Sequence, residues 1–351
     1  MLDRSPPQRP SATAQQSRPH WIGKKLMGTI LINHRLAAGY VDTLSIEPCG
    51  LIRLAGWTFA SSPELLASLE LELPSGVRAP CQVFRTFRPD VAAQHGPSAL
   101  RSGFCAEFLI WDESVTAIRV FCREGRARNK ICEAPVAAFS FERPAYEGLF
   151  HETRPLRRAQ IYGTGPPVNV VVSEIALLID EFEGDVLDFG CGAGALVRAL
   201  HSRGRTAYGL ELDRGDIRHS LRDDVISTVR LYDGSFPAPF PSKSFDTLVA
   251  VEVIEHIEDY CAALKEMARL TRDRLILTTP DMSAIPLLYP HQAIPWHLLE
   301  ATHVSFFTQN SLAAALNGLF DSVEIMRIGP NTINGTLYYT SLLAVCREPR
   351  A

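Results

Sequence analysis

Three glycines behind an acidic residue form the most informative stretch of the chain. The segment VLDFGCGAG ends a predicted buried strand with Asp188 and continues into Gly190, Gly192 and Gly194. Glycine lets the backbone turn tightly from a strand into a helix, and a ligand can approach it without a Cβ in the way. The turn therefore predicts a cofactor cradle at the carboxyl end of a strand.

Further acidic residues bear on which cofactor the cradle holds. The glycines also satisfy G-x-G-x-x-[GA], the dinucleotide fingerprint, which alone is weak. Asp188 would repel a pyrophosphate, whereas it suits the cationic amino-acid end of S-adenosylmethionine (SAM). Glu211 ends the next strand and can accept both ribose hydroxyls of either cofactor. Asp233 and Gly234 follow the third strand, where a carboxylate can accept from an adenine amino group. The set favours SAM.

The elements around these residues alternate between strands and helices from residue 169 onward. Strands such as FDTLVAVEV and DRLILTTP are separated by segments with helical periodicity, which predicts a parallel sheet with helices on both faces. Two more β segments, VEIMRIG and LYYTSLLAVCR, end the chain. We therefore expect an α/β fold with a doubly wound, mostly parallel seven-stranded sheet.

Residues 169–347 resemble the class I SAM-dependent methyltransferases, which have a Rossmann-like fold. The motifs that carry the resemblance are VLDFGCGAG, GLELD, DGSFPAPFPSKSFDTLVAVEVIEHI and LILTTPD. The resemblance implies that SAM is the cofactor. It also implies the residues that contact SAM, which are Asp188, Gly190, Gly192, Gly194, Glu211, Asp233 and Gly234.

The segment VEVIEHIED offers groups for catalysis after the fourth strand. Methyl transfer needs the reacting atoms in line, and an oxygen acceptor must also lose a proton. An unperturbed imidazole titrates near pH ~6.5, so His256 is the predicted general base, with Glu255 beside it. The alternative is that this Glu-His pair only structures the loop beneath the cofactor.

A divalent metal is another interpretation of the same segment. The E-x-x-E-H spacing of Glu252, Glu255 and His256 resembles two families of O-methyltransferase. One acts on ubiquinone precursors, and the other methylates the 2′-hydroxyl at the 3′ end of small RNAs and adds a downstream histidine, here His303. Our first expectation is that no metal binds. The segment 291–312 is predicted to cover the active site, with His297 and His303 as secondary catalytic candidates.

The first part of the chain has a different pattern. Residues 23–142 read as short alternating β segments, which predicts an antiparallel sandwich. Residues 45–125 resemble the Ig-like modules attached to bacterial enzymes of surface-polysaccharide assembly. The matching residues are Gly56, Trp57, Arg88, Pro89, Asp90, Val91, Ala92, Ala93, Ser102, Gly103 and Phe104. The resemblance implies O-methylation of a glycan or a lipid-linked saccharide.

Two segments are predicted to lie outside the folded units. Residues 1–22 are polar and Pro-rich, which is typical of a disordered tail. Residues 143–168 read as a linker with Arg154, Arg157, Arg158 and Tyr162, which acts as an acceptor-binding lid or merely as a tether. The methyltransferase domain is expected to span residues 169–351.

Composition limits the other function classes. The chain has 351 residues, a net charge of -4 and a pI of about 6.2, which argues against nucleic acid as a partner. It contains no apolar run of about 18 residues and no signal peptide, and its eight scattered cysteines suit reduced thiols in a bacterial cytoplasm. A metal-dependent RNA 2′-O-methyltransferase and a non-catalytic scaffold with a SAM fold are the alternatives.

Overall fold

The computed structural model describes most of both predicted halves. The described residues are 30–36, 39–46, 51–59, 69–76, 78–80, 82–109, 117–124, 127–135, 170–288, 295–333 and 336–350. The predicted tail, 1–22, and the predicted linker, 143–168, lie outside them.

The first half consists almost entirely of strands, as its alternating pattern predicts. The strands are β1 (Ile30–Leu36), β2 (Gly39–Ile46), β3 (Leu51–Thr58), β4 (Glu70–Glu72), β5 (Arg78–Pro80), β6 (Gln82–Thr86), β7 (Gly103–Leu109), β8 (Ala117–Glu124) and β9 (Ala127–Pro135). Among the described residues of this half, one α-helix, α1 (Pro89–His95), and one 3-10 turn, Pro97–Ala99, interrupt the strands. Arg88 precedes the helix, and its guanidinium donates hydrogen bonds of 2.8 and 2.6 Å to the two carboxylate oxygens of Asp90. Both residues thus fix a strand-to-helix turn.

The second half alternates strands with helices. Its elements are α2 (Ser173–Leu178), β10 (Val186–Phe189), α3 (Ala195–His201), β11 (Ala207–Leu212), α4 (Gly215–Ser220), β12 (Val229–Tyr232), β13 (Phe245–Val251), α5 (Tyr260–Leu270), β14 (Thr271–Pro280), α6 (Ile285–Leu288), α7 (Trp296–Leu299), α8 (Gln309–Leu316), β15 (Phe320–Ile333) and β16 (Thr336–Pro349). Strands β10 to β14 are parallel to their neighbours, and β16 runs antiparallel between β14 and β15.

One sheet runs through both halves of the molecule. Its strand order is β1-β2-β3-β7-β6-β15-β16-β14-β13-β10-β11-β12, twelve strands in all. The expected seven-stranded sheet is therefore not a separate unit, because β15 pairs in parallel with β6 through Met326 and Arg85. At this pair of residues, each strand edge gives the other a backbone partner.

Buried apolar side chains explain the layers. Helices α2 and α3 cover one face of the second-half strands, with Ile175, Leu178 and Val197 in the core, and α5 and α8 cover the opposite face. In the first half, a four-stranded sheet, β5-β4-β8-β9, packs against one face of β1, β2, β3 and β7. The first half thus has two facing sheets. Phe104 lies in their shared core, whereas Trp57 does not and instead packs with Tyr40, Phe59 and His95 near the surface.

No helix among the described residues is both long enough and apolar enough to cross a membrane.

Candidate functional site

The glycine turn lies where the strand order reverses. Strand β10 stands between β11 and β13, so chains that leave its carboxyl end diverge to both sides and open a crevice. Gly190, Gly192 and Gly194 all have positive φ, at 79°, 53° and 78°. A Cβ on Gly190 would lie 2.6 Å from Cγ2 of Val253, so that position is closed to any side chain. The backbone thus forms the strand–turn–helix geometry that the sequence predicts.

Glu211 is tied to this turn by its own carboxylate. Its Oε2 accepts a hydrogen bond of 2.8 Å from the Gly192 N–H, and its Oε1 accepts one of 2.7 Å from the Leu212 N–H. Each carboxylate oxygen has a second lone pair, so both oxygens can still accept from a ligand. The two backbone bonds fix the side chain in the orientation that bidentate recognition of two hydroxyls requires.

Asp188 is a buried acid without a cationic partner. Its side chain is 5% exposed, and burial together with the nearby charge of Glu211 raises its pKa to about 7. Among the described residues, no Lys or Arg forms an ion pair with Asp188 or Glu211. A cationic ligand in the crevice would supply the missing positive charge. The pair therefore fits SAM, whose amino group and sulfonium are both cationic, better than a pyrophosphate.

Asp233 lies at the end of β12, as expected, but it is exposed. Its Oδ1 accepts from both the N–H and the hydroxyl of Ser235, at 2.9 and 2.5 Å, and these bonds lower its pKa. The loop next to it, with Gly234 at a φ of 88°, borders a cleft of about 420 Å³. The carboxylate is thus ionised and held at the rim of a cleft.

Two more acids follow β13, the half-buried Glu252 and the buried Glu255. Glu252 has a φ of 53°, unusual for a residue other than glycine, and its carboxyl contacts the hydroxyls of Thr278 and Ser341. Burial raises its pKa to about 7. Glu255 is 1% exposed, and burial raises its pKa well above the ordinary value. Its Oε2 accepts from Thr279, whereas Oε1 has no hydrogen-bond partner among the described residues.

Two histidines converge on Glu255. Nε2 of His256 lies 4.0 Å from its Oε1, and the His303 ring is 4.7 Å from the His256 ring. Nδ1 of His256 lies 3.2 Å from the carbonyl oxygen of Thr302, and Nδ1 of His303 lies 3.2 Å from that of His297. A carbonyl oxygen only accepts, so Nδ1 donates in both contacts, and in a neutral ring the lone pair then lies on Nε2.

The sequence of residues 169–319 matches a family model described as a methyltransferase domain. This segment is a methyltransferase domain. It contains the whole set of site residues predicted from the sequence, from Asp188 to His303.

Curated relatives share part of this methyltransferase domain. An uncharacterised methyltransferase of Geobacillus sp. (strain WCH70) is 36% identical over 75 residues, which are 21% of this chain and 35% of that protein. The ubiquinone biosynthesis O-methyltransferase of Paracidovorax citrulli is 31% identical over 134 residues, which are 35% of this chain and 48% of that protein. The chain thus spans about a third to a half of the length of these relatives.

Solved structures resemble about half of the chain. A SAM-dependent methyltransferase from Archaeoglobus fulgidus covers 50% of this chain and 92% of its own, with 15% identity and a TM-score of 0.42. The magnesium protoporphyrin IX methyltransferase of Synechocystis PCC 6803, solved with bound SAM, covers 50% of this chain and 77% of its own, with 19% identity and a TM-score of 0.35.

Three of the four alternative metal ligands come together in the methyltransferase domain. Glu255, His256 and His303 each place one ligand atom within 4.8 Å of the others. Glu252 is not part of this group, because its carboxyl is held by Thr278 and Ser341. Backbone carbonyls that fix Nδ1–H are the usual support of metal-bound imidazoles, and the Glu255 oxygen that makes no hydrogen bond within the described residues could ligate a cation. The three residues therefore fit a divalent metal such as zinc or manganese.

Two more residues of this segment lie at the site, His297, which is a secondary catalytic candidate from the sequence, and Thr302, which is not a candidate. His297 is buried against His303 with stacked rings 5.8 Å apart, and burial with the neighbouring His303 lowers its pKa to about 4. Thr302 orients His256 only through its backbone carbonyl, which any residue type carries. The sequence thus points to His297 through the histidines of HQAIPWHLLEATH, whereas it holds no signal for Thr302.

Proposed function

We propose that the protein is a SAM-dependent O-methyltransferase that acts on a hydroxyl of a small, non-macromolecular acceptor. The observation that carries the proposal is the contact between the cofactor turn and the Glu255–His256 segment. Val253, one residue after Glu252, packs against Gly190, so the cradle and the candidate base share one crevice. The curated relatives named as ubiquinone biosynthesis O-methyltransferases support oxygen as the acceptor atom.

The division of labour in this crevice follows from its charges. Asp188 and Glu211 would hold the cationic and ribose parts of SAM, and the glycines let it approach. SAM, when bound, would supply an electrophilic methyl group for the acceptor oxygen and would take the electron pair of the broken carbon–sulfur bond on its sulfur. His256 takes the hydroxyl proton on Nε2, since burial lowers its pKa and keeps the ring neutral. Thr302 fixes the ring by its carbonyl.

The acceptor class is tested by label transfer. The purified full chain is incubated with methyl-labelled SAM and a fractionated bacterial extract, and the saccharide, lipid, small-molecule and RNA pools are counted separately. We expect label in the small-molecule or saccharide pool. Glu211→Gln should abolish it, while Glu258→Gln, at an exposed acid two residues after His256, should not. Absence of SAM binding by the unmodified chain would refute the proposal, and label in RNA would replace it with the nucleic-acid alternative.

A saccharide acceptor remains part of this proposal rather than a separate one. The support for it is the resemblance of residues 45–125 to modules of polysaccharide enzymes, and the relatives named above do not add to it. Unchanged methyl-sugar content in cells that lack the gene would count against a saccharide and leave the O-methyltransferase proposal standing.

A metal-assisted variant is the second candidate, and it is favoured by the Glu255 oxygen, which makes no hydrogen bond to any described residue. Glu255, His256 and His303 would hold the cation, which when bound would lower the pKa of an acceptor hydroxyl. Elemental analysis of the purified chain, followed by chelation and re-addition of Mg²⁺, Mn²⁺ or Zn²⁺, separates the two variants. Full activity after exhaustive chelation, with no metal detected, would leave His256 as the base without a cation.

A further inference from the structure

A second cavity lies at the junction of the two halves. Its volume is about 550 Å³, within the range of pockets that enclose a small ligand. Strands β2 and β3 contribute one wall, helix α2 another, and strands β15 and β16 a third. Polar side chains from all three walls line it, including those of Thr43, Ser45, Arg53, Glu174, Arg327 and Tyr339.

The wall from the first half is the polar face of a two-faced sheet. Leu44, Ile52 and Leu54 point into the core shared with the four-stranded sheet. Side chains alternate along a strand, so Ser45 and Arg53 point the other way, into the cavity. This face is small and polar where it meets the second half, which is why the two halves enclose a space instead of a packed apolar core.

Charges around the cavity are balanced. Nε of Arg53 lies 3.0 Å from Oε1 of Glu107, and Nη1 of Arg327 lies 3.0 Å from Oε2 of the same carboxylate. Nε of Arg327 also lies 3.0 Å from Oδ2 of Asp281. Because each of these guanidinium groups already faces a carboxylate, an anion in the cavity would find no unpaired positive charge among them to bind.

Hydroxyl chemistry suits such a lining. Thr43 and Ser45 both donate and accept, guanidinium groups donate, and the carboxylate of Glu174 accepts. Burial raises the pKa of Tyr339 to about 12, so its phenol keeps its proton and donates. A ligand with several hydroxyl groups, each both donor and acceptor, matches all of these at once. Apolar side chains such as Phe87 and Leu177 face the carbon skeleton of such a ligand.

The cavity adjoins the methyl-transfer crevice. Tyr339 is two residues from Ser341 on β16, so their side chains lie on one face about 7 Å apart along the strand. The Ser341 hydroxyl contacts the carboxyl of Glu252, which follows Val251 at the carboxyl end of β13. Arg327, on the neighbouring strand, is paired with Asp281 directly after β14. A ligand in the cavity therefore lies next to the strand ends that form the crevice.

We propose that the junction cavity binds the methyl acceptor and that this acceptor is an uncharged polyhydroxylated molecule with the hydroxyl pattern of a sugar. The inference rests on the proposed function and adds the acceptor class and its binding site. The first half of the chain thereby supplies one wall of the acceptor site.

The test measures binding of three probes to the full chain by saturation-transfer NMR. The probes are methyl α-D-glucopyranoside, catechol as a flat diol, and inorganic phosphate as an anion. Ser45→Trp and Leu177→Trp fill the cavity from opposite walls, and Leu177 is 45% exposed, so its replacement does not disturb a core. Ala314→Trp, on the exposed side of α8, is the matched control. SAM affinity is measured in parallel for every variant.

We expect the glucoside to bind the unmodified chain and the control equally, and to bind both cavity variants at least about tenfold more weakly, at unchanged SAM affinity. Equal binding to the cavity variants would overturn the cavity as the site. Binding of catechol or phosphate in place of the glucoside, or of no probe, would overturn the acceptor class. If the unmodified chain does not bind SAM, the proposed function is refuted instead, and the probe measurements still decide whether the cavity binds the glucoside.

Discussion

Acidic side chains at the glycine turn and at the junction of the two halves differ in whether an arginine neutralises them. At the junction, Glu107 and Asp281 each contact an arginine at 3.0 Å. At the turn, Asp188 has no ion pair with Lys or Arg within the described ranges, and burial raises its pKa. Compensated charges hold a structure in one arrangement, whereas an uncompensated buried acid costs stability and is typical of a ligand site.

Removal of a paired acid tests the junction side of this contrast and should have the largest effect. Glu107→Gln leaves Arg53 and Arg327 buried without their shared carboxylate, so we expect a loss of about 3–5 kcal/mol in the free energy of unfolding. Urea denaturation measures it. Glu107→Leu combined with Arg53→Met removes charge of both signs and should cost less than Glu107→Gln alone. A loss below about 1 kcal/mol for Glu107→Gln would mean that the network is solvated.

Removal of an uncompensated acid should have the opposite sign. The folded pKa of Asp188 is raised to about 7, so ionisation opposes folding, and stability falls as pH rises from about 4 to 7 and then levels off. In urea denaturation at pH 8, the free energy of unfolding of Asp188→Asn should therefore exceed that of the unmodified chain by about 1–3 kcal/mol. The difference should vanish near pH 4. A mutant less stable at pH 8 would contradict the assignment.

Binding of a cationic ligand at the glycine turn should lower the pKa of Asp188. If the cationic end of SAM lowers the pKa of Asp188, binding at pH 6 releases up to one proton, and SAM affinity rises by at most about tenfold per pH unit until pH 7. Calorimetry in buffers of different ionisation enthalpy counts the protons. Asp188→Asn is the control, in which this proton release should vanish.

An exposed ion pair gives the smallest effect and sets the baseline. Nε of Arg119 lies 3.1 Å from Oε1 of Glu133, but both side chains are more than 40% exposed. Arg119→Ala should change the free energy of unfolding by less than about 0.5 kcal/mol, because water screens the pair. A change as large as that of Glu107→Gln would show that proximity alone, without burial, explains the junction network.

The sequence predicts best what is encoded locally. The glycine turn, Glu211 and the β–α alternation follow from neighbours within a few residues, since strand ends, caps and turns have local rules. The positive φ of Glu252 has no such signal, because glutamate rarely adopts it. The meeting of His256 with His303, 47 positions away, was expected only from a family resemblance and depends on how the segment before α8 folds back.

Contacts between the halves were beyond prediction for a related reason. The pairing of β6 with β15 and the ion pair of Arg327 with Glu107 join residues more than two hundred positions apart. Nothing in either segment specifies its partner, because a strand edge pairs with any complementary edge that packing brings to it. The sequence therefore predicts the two halves but not the single sheet.

The shared sheet has a consequence for cutting the molecule. Strand β15 lies inside the twelve-stranded sheet only because β6 pairs with it. A fragment starting at residue 169 would turn this interior strand into an open edge, with unpaired backbone groups ready to pair with another molecule. We expect such a fragment to self-associate even if its own core is intact. By covering the edge of β15, the first half should therefore limit aggregation of the second.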